Sequence, residues 1–417
     1  MEPTPLSDAK DRLAAEIDRR AELLLDVSHQ IHAHPELGYE ERFAHDLLTG
    51  VLERAGLAVT RSARGIDTAF EATAGATGPR VALVCEYDAL PGIGHACGHN
   101  VIAAAGLGAG LAAAALASEL GGRVVVVGAP AEEGGGGKLH LIEGGTFAGV
   151  DAALMVHPAD NDLLAMDVIA VHEVQVTYRG EAAHAAAFPH LGHNALDAAV
   201  LGYVNVAALR QHVEPGERIH GLITDGGDKP NIVPARAQTE WMVRSPTLAG
   251  LERLKQRFLA CQQAGADAAG CEMEVEWRDV VYADMLDNRA IVERYRANAE
   301  ALGRIVRLSS PTARVVGSTD MGNVSYVVPA IHPMIQVAPP GVPIHTPAFA
   351  GFAGGPEGDQ AVIDGAKALA FTVADLWLDS DLAGLAHDEW EASVGGRGTA
   401  PEGPRADGRP GVRSGPL

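Results

Sequence analysis

Cysteine is scarce in this chain. Its 417 residues include four, Cys85, Cys97, Cys261 and Cys271, which excludes a disulfide framework as the source of stability. Basic residues are also in deficit, with 32 Lys and Arg against 54 Asp and Glu and a formal net charge of −22. No nucleic-acid partner is expected, because phosphate repulsion would have to be overcome locally. The opening Met1-Glu2-Pro3-Thr4-Pro5 lacks the basic-then-apolar order of a signal peptide. The long apolar run Val101–Ala117 is short for a bilayer and dominated by Ala and Gly, so it reads as a buried helix, with no membrane association expected. These absences point to a cytoplasmic globular protein, long enough for two domains.

What is present alternates strands with helices. Apolar positions from Asp8 to His34 recur at helical spacing, and a second helical segment spans about Glu41 to Ala55 before Gly56. Arg80–Tyr87, Val124–Gly128 and Ala152–Val156 are nearly continuous apolar runs, as in strands buried on both faces of a parallel sheet. From Val171 the texture changes to a half-exposed strand, His172–Tyr178. It is followed by a helix near Asn194–Gln211, strands near Ile219–Thr224 and Ala237–Val243, a helix near Thr247–Ala264 and a strand at Met273–Trp277. That order suits a small α+β, ferredoxin-like unit inserted into an α/β domain. The first pattern resumes with the helix Asn288–Leu302, the Gly317–Asn323 loop, a strand near Ile331–Val337 and a helix near Gly358–Leu378. Residues 1–170 and 285–385 are thus expected to form one discontinuous domain and 171–284 the insertion. Beyond about Ala386 the Gly-, Pro- and Arg-rich composition predicts a disordered tail over 386–417.

In a doubly covered parallel sheet, ligands gather beyond the carboxyl ends of the strands. Those ends here carry Asp88, the pair Glu132-Glu133, and His157. Cys97-Gly98-His99 adds a thiol and an imidazole across a glycine that permits a sharp turn. Adjacent carboxylates repel each other. Their placement at a strand end becomes favourable when one binds a cation and the other handles a proton, although a solvated turn accounts for the pair as well. A phosphate loop is a poorer reading of Gly134–Lys138, since Leu139 stands where Ser or Thr is needed and two acids would repel phosphate. His345 lies in the Pro-rich loop Gly341–Pro347, as a ligand or as part of a surface turn.

Together these pieces resemble the metal-dependent carboxypeptidase, aminoacylase and dipeptidase superfamily. The matching stretches are His34–Gly38, Glu86–Gly92, His95–Asn100, Pro130–Gly134, His157-Pro158, Gly180–Ala185, Lys229–Pro234, Gly317–Asp320 and His345–Pro347. Within it the chain is similar to the amidohydrolase branch of hippurate and auxin-conjugate hydrolases, and most to β-alanyl-lysine dipeptidases and aminobenzoyl-glutamate hydrolases. The resemblance implies a largely parallel-sheet metallopeptidase-type domain whose inserted unit is a lid and dimerisation domain. It implies Cys97, His99, Glu133, His157 and His345 as ligands to one or two divalent ions, Zn²⁺ or Mn²⁺ with Co²⁺ admissible. It implies Glu132 as general base and acid. It also implies that His184 acts in trans within a homodimer to hold the oxyanion, with Asn231 nearby.

Many relatives carry His-x-Asp where this chain has Glu86-Tyr87-Asp88, so Asp88 is expected to orient a ligand rather than to bind metal. Glu86 is open to two readings, a site for a substrate cation or a buried acid satisfied within the protein. Arg244 likewise reads as a contact for a substrate carboxylate or as a structural ion pair. The implied reaction is hydrolysis of a small N-acyl amino acid or dipeptide. Release of p-aminobenzoate from its glutamate conjugate is the alternative, and a catalytically silent metal-binding scaffold is the reading from another class. An intact base beside a full ligand set speaks against silence.

Overall fold

The computed structural model describes residues 5–309 and 316–397. The N-terminal periodicity, expected as one helix, resolves into α1 (Pro5–Asp18) and α2 (Ala21–Ala33). The break has a local cause. The Arg20 amide donates to Ile17 O, and its guanidinium takes the Glu16 carbonyl that a continuous helix would have used. Both halves still bury the apolar stripe, Leu13 and Ile17 from one, Leu24, Val27 and Ile31 from the other. The chain continues through α3 (Arg42–Arg54), β1 (Ala58–Arg61), β2 (Phe70–Ala74), β3 (Arg80–Cys85), α4 (His99–Leu120), β4 (Arg123–Gly128) and α5 (Gly137–Glu143). Three short strands follow, β5 (Ala152–Leu154), β6 (His157–Ala159) and β7 (Asp167–Val168).

Residues 169–284 form a separate compact unit, and the first unit resumes at Met285. The second unit contains β8 (Ala170–Arg179), α6 (Ala195–Leu209), β9 (Arg218–Asp225), β10 (Arg236–Ser245), α7 (Leu248–Ala269) and β11 (Glu272–Tyr282). Its strands pair entirely antiparallel in the order β11-β8-β10-β9. Its core is built by Val174, Val176 and Tyr178 from β8, Trp241 and Val243 from β10, and Leu251, Leu254 and Phe258 from α7. The alternation read along His172–Tyr178 is that of a strand with one face on these helices.

The first unit is completed by α8 (Arg289–Ala301), β12 (Val316–Gly317), α9 (Met321–Ser325), β13 (Ala330–Ile331), β14 (Met334–Gln336), α10 (Pro347–Ala353), α11 (Pro356–Leu378) and α12 (Ser380–Arg397). Its main sheet has the order β1-β2-β4-β3-β5-β13. β3 pairs in parallel with β4 and β5, and β13 in parallel with β5, while β1 and β2 add an antiparallel flank. Helix α4 packs against this sheet through small residues. A Cβ on Gly110 would lie 2.2 Å from Val126 Cγ2, so only glycine allows this approach. By length and composition α4 could cross a membrane, but 83% of its most apolar window is buried inside the unit as core.

The expected tail from Ala386 is corrected. Residues 380–397 form α12, whose Glu389 carboxylate accepts the Arg289 and Ala290 amides at the start of α8. Trp390 Nε1 donates to Ser325 O at 2.9 Å, and Ala386 is buried. Gly and Pro signal a breaker by composition, but here they cluster beyond Val394, after the anchoring residues have been placed. The remainder of that expected tail, 398–417, lies outside the described residues.

Candidate metal centre

Parallel β3, β4 and β5 point their carboxyl ends the same way, and each delivers polar groups there: Glu86 and Asp88 after β3, Glu132 and Glu133 after β4, His157 after β5. Cys97 and His99 flank Gly98, the residue before α4. Gly98 has φ +81°, and a Cβ there would lie 2.8 Å from Pro158 Cβ, so only glycine lets the thiol and the imidazole converge beside His157. His345 comes from the loop before α10. It is held in the left-handed region at φ +64° by the hydrogen bond its N–H donates to Ala96 O, a strained backbone of the kind that persists where surrounding structure enforces it.

These side chains form two groups that share a cysteine. Cys97, His99 and His157 make one, and Cys97, Glu133 and His345 the other, with the donor atoms of each within 4.8 Å of one another. Cys97 Sγ lies 3.4 Å from His157 Nε2, and Glu133 Oε1 lies 3.3 Å from His345 Nε2. Two ligands about 2.1 Å from one ion at a tetrahedral angle stand about 3.4 Å apart. His99 Nε2 and Glu133 Oε1 are out of solvent and make no hydrogen bond, a costly state unless a cation satisfies them. The donor set and the spacing therefore fit one or two divalent ions, with Cys97 common to both ligand groups.

Asp88 organises His99 and Glu133 from behind. Its Oδ1 lies 3.0 Å from His99 Nδ1, which turns Nε2 toward the ligand cluster, and its Oδ2 accepts the Glu133 amide at 2.9 Å. Burial lowers His157 to about 4, leaving the neutral imidazole that a metal requires. Burial foremost, then repulsion from Glu86 and Glu133, raises the Glu132 carboxyl well above the ordinary range. That is the direction that suits a group taking up and returning a proton.

Glu86 resolves against the substrate-cation reading. It is fully buried, and Lys138 Nζ lies 2.6 Å from its Oε1 and 2.5 Å from Asp320 Oδ1. Asp320 Oδ2 also accepts the Lys138 amide at 2.9 Å. The cation facing Glu86 is thus the chain's own. Burial alone would lower the Lys138 ammonium, but Asp320 and Glu86 outweigh it and hold it charged. Glu86 Oε2 sits 3.5 Å from His99 Nε2, so this ion cluster forms the floor of the metal centre. Sequence reasoning misses the role of Lys138 and Asp320. The available signal is a lysine closing a glycine run and entering the first turn of a short helix just before the apolar Leu139.

The inserted unit carries the remaining candidates. His184 and Asn231 are brought together: Ala185 donates its amide to Asn231 O at 3.1 Å, and His184 pairs with Ile232. His184 is exposed, and its Nδ1 accepts the Ala186 and Ala187 amides at 3.3 and 3.1 Å. Those bonds place the ring proton on Nε2, making that atom an outward donor. Arg244 is not brought to them. It lies toward the far end of β10, opposite Val171, whereas His184 and Asn231 adjoin the end where Arg236 faces Arg179. Its Nε instead meets His220 Nε2 at 3.2 Å. The strand runs eight residues between the two ends, so one small substrate does not span them.

Comparison with known proteins gives a consistent picture. The sequence model of Peptidase family M20/M25/M40 matches residues 82–352. The chain is 40% identical over 382 residues to the Xaa-Arg dipeptidase of Mus musculus, covering 88% of each. It is 30% identical over 443 residues to a p-aminobenzoyl-glutamate hydrolase chain of Escherichia coli (strain K12), covering 88% of this chain and 92% of that protein. In fold it is similar to the crystal structure of a dinuclear metal-binding M20-family peptidase from Bacillus subtilis. There the TM-score is 0.68 at 19% identity, over 86% of this chain and 98% of that one.

Proposed function

Because this chain belongs to peptidase family M20/M25/M40, a metal-dependent hydrolase of amide or peptide bonds in small substrates, we propose that it is a dipeptidase preferring a cationic C-terminal residue. The observation that carries the reading is the coincidence of two ligand groups sharing Cys97 with the raised Glu132 carboxyl beside them. The 40% identity to an Xaa-Arg dipeptidase supports the substrate class. An aminobenzoyl-glutamate hydrolase at 30% identity supports the second reading, a folate-fragment substrate.

Cys97, His99 and His157 would hold one ion, and Cys97, Glu133 and His345 the other, with Zn²⁺, Mn²⁺ and Co²⁺ all compatible with mixed S, N and O donors. Bound there, the ions supply a lowered water pKa and polarisation of the scissile carbonyl. Glu132 takes the proton from the attacking water and returns it to the leaving nitrogen. The Nε2–H of His184 donates to the carbonyl oxygen as it gains negative charge, with Asn231 beside it. In this reading the inserted unit serves as lid and dimerisation domain, and His184 reaches the partner's site. The exposed edge strand β9, with Leu222 and Ile223, and the exposed Val200, Leu201 and Val204 of α6 are the apolar surface that such pairing would cover.

The test is a panel of alanyl-arginine, β-alanyl-lysine, N-acetyl amino acids, hippurate and p-aminobenzoyl-glutamate, each with added Zn²⁺, Mn²⁺ or Co²⁺. The dipeptides with cationic C-termini should give the highest kcat/KM. Highest turnover of p-aminobenzoyl-glutamate would transfer the reading to the second substrate. Glu132→Gln should retain metal and fold while losing at least about 100-fold in kcat, and undiminished turnover would remove Glu132 as the base.

A further inference from the structure

The loop that carries Glu132 and Glu133 is gripped at both ends by one N-terminal turn. Glu41, fully buried, accepts the Ala131 amide on Oε1 at 2.8 Å, while Thr68 Oγ1 donates to its Oε2 at 2.9 Å. Two residues earlier, Tyr39 donates its hydroxyl to Gly135 O at 2.6 Å. Between these grips Asp88 takes the Glu133 amide, so the backbone is anchored at 131, 133 and 135. The Glu132 side chain is the group this arrangement presents.

Both partners in the grip are held in an unusual backbone conformation. Tyr39 has φ +65° and Ala131 φ +57°, left-handed values that side-chain-bearing residues rarely adopt. The two turns also pack without slack. A Cβ on Gly38 would lie 2.9 Å from Ala131 Cβ, and one on Gly135 would lie 2.8 Å from Tyr39 Cε2 and 2.6 Å from Ala131 Cβ. A left-handed residue directly before Glu132 sets the direction in which Glu132 leaves the chain. The Glu41 carboxylate, bonded to that residue's amide, keeps it left-handed.

We propose that Glu41 and Tyr39 are positioning residues for the hydrolytic reaction: a latch that aims Glu132 without touching substrate or the metal ligands' donor atoms. The inference rests on the reading of Glu132 as the base. Loss of the Ala131 grip would let Glu132 shift by a fraction of a turn. Displacements near 1 Å at a reacting group cost about 100-fold in rate.

The variants Glu41→Ala, Glu41→Gln and Tyr39→Phe of the metal-loaded full chain decide the matter, assayed on alanyl-arginine alongside metal content, thermal unfolding and hydrogen exchange at the Ala131 amide. Glu41→Ala should lower kcat by about 100-fold with KM within about threefold and metal content unchanged. Glu41→Gln keeps an acceptor of the same shape and should return kcat to within about threefold of wild type. Tyr39→Phe keeps the ring and removes only the hydroxyl's bond to Gly135 O, and should lower kcat by about tenfold. The Ala131 amide should exchange faster in Glu41→Ala than in wild type whatever the substrate, so an inactive wild type would overturn the choice of substrate but not the latch. Wild-type kcat in both Glu41→Ala and Tyr39→Phe overturns the proposal. So does equal impairment of Glu41→Gln and Glu41→Ala, or a kcat loss that follows metal loss. If Glu41→Ala fails to fold, Tyr39→Phe alone decides: unchanged kcat there overturns the latch.

Discussion

Lys138 is the side chain whose loss the floor of the metal centre should tolerate least. It sits between Glu86 and Asp320 with no exposure to water. Removing one partner of a buried ion cluster leaves an uncompensated charge and costs about 3–5 kcal/mol. Lys138→Met should lower the denaturant midpoint accordingly, and adding Glu86→Gln to it should recover a substantial part, because the second change removes one of the two orphaned charges. Absence of recovery in the double variant would show that packing, rather than charge, holds the cluster. This cluster marks the limit of what the sequence discloses at residue scale. Cys97, His99, Glu132, Glu133 and His157 are legible because each ends an apolar strand or opens an apolar helix. The partnership of residues 86, 138 and 320 joins three segments remote along the chain, with no periodicity to link them.

At the scale of elements, the inserted sheet carries a pH dependence that can be worked out from one histidine. His172 on β8 is buried, meets Arg278 O through Nε2 at 2.7 Å and packs its ring at a tilt against Trp277, with centroids 4.6 Å apart. Burial foremost lowers it from 6.5 to about 4. Its folded pKa lies below the unfolded value, so its contribution is intact above about pH 6.5 and is lost as pH falls through the window down to about 4. The full loss is about 3 kcal/mol. Unfolding followed by tryptophan fluorescence should show wild type weakening between pH 7 and pH 4.5 more than His172→Phe does. Equal slopes would mean the imidazole is already solvated in the folded state. Element existence is readable where periodicity is strong, as for α4, β3, β4 and β8. The antiparallel flank β1 and β2 is not, since β1 has four residues without alternation and the alternation of β2, Phe70–Ala74, lasts only five. The break between α1 and α2 is hidden as well, because it depends on Arg20 competing for the Glu16 carbonyl within an unbroken apolar stripe.

For the whole molecule, the proposed trans role of His184 makes a prediction that no single-chain site can meet. A Glu132→Gln chain and a His184→Ala chain should each be inactive as homodimers. Mixed under conditions of subunit exchange, half the dimers are heterodimers, and each of those holds one site with both groups intact, so activity should return to about a quarter of wild type. Light scattering fixes the oligomeric state in the same samples. No return of activity despite demonstrated heterodimers would place His184 in its own chain's site or outside the reaction.

The pairing of Val171 with Tyr282 on neighbouring strands means that the inserted unit begins and ends at one place. Strand β13, by contrast, closes the host sheet only by pairing with β5, made far earlier in the chain. During synthesis on a ribosome the insertion is therefore complete, contiguous and able to fold while the host sheet still waits for its last strand. The inserted unit is thus the first that can be finished in time. The edge of β5 must stay unpaired in the interim, which makes it the interval when the nascent chain is most exposed to strand-pairing errors.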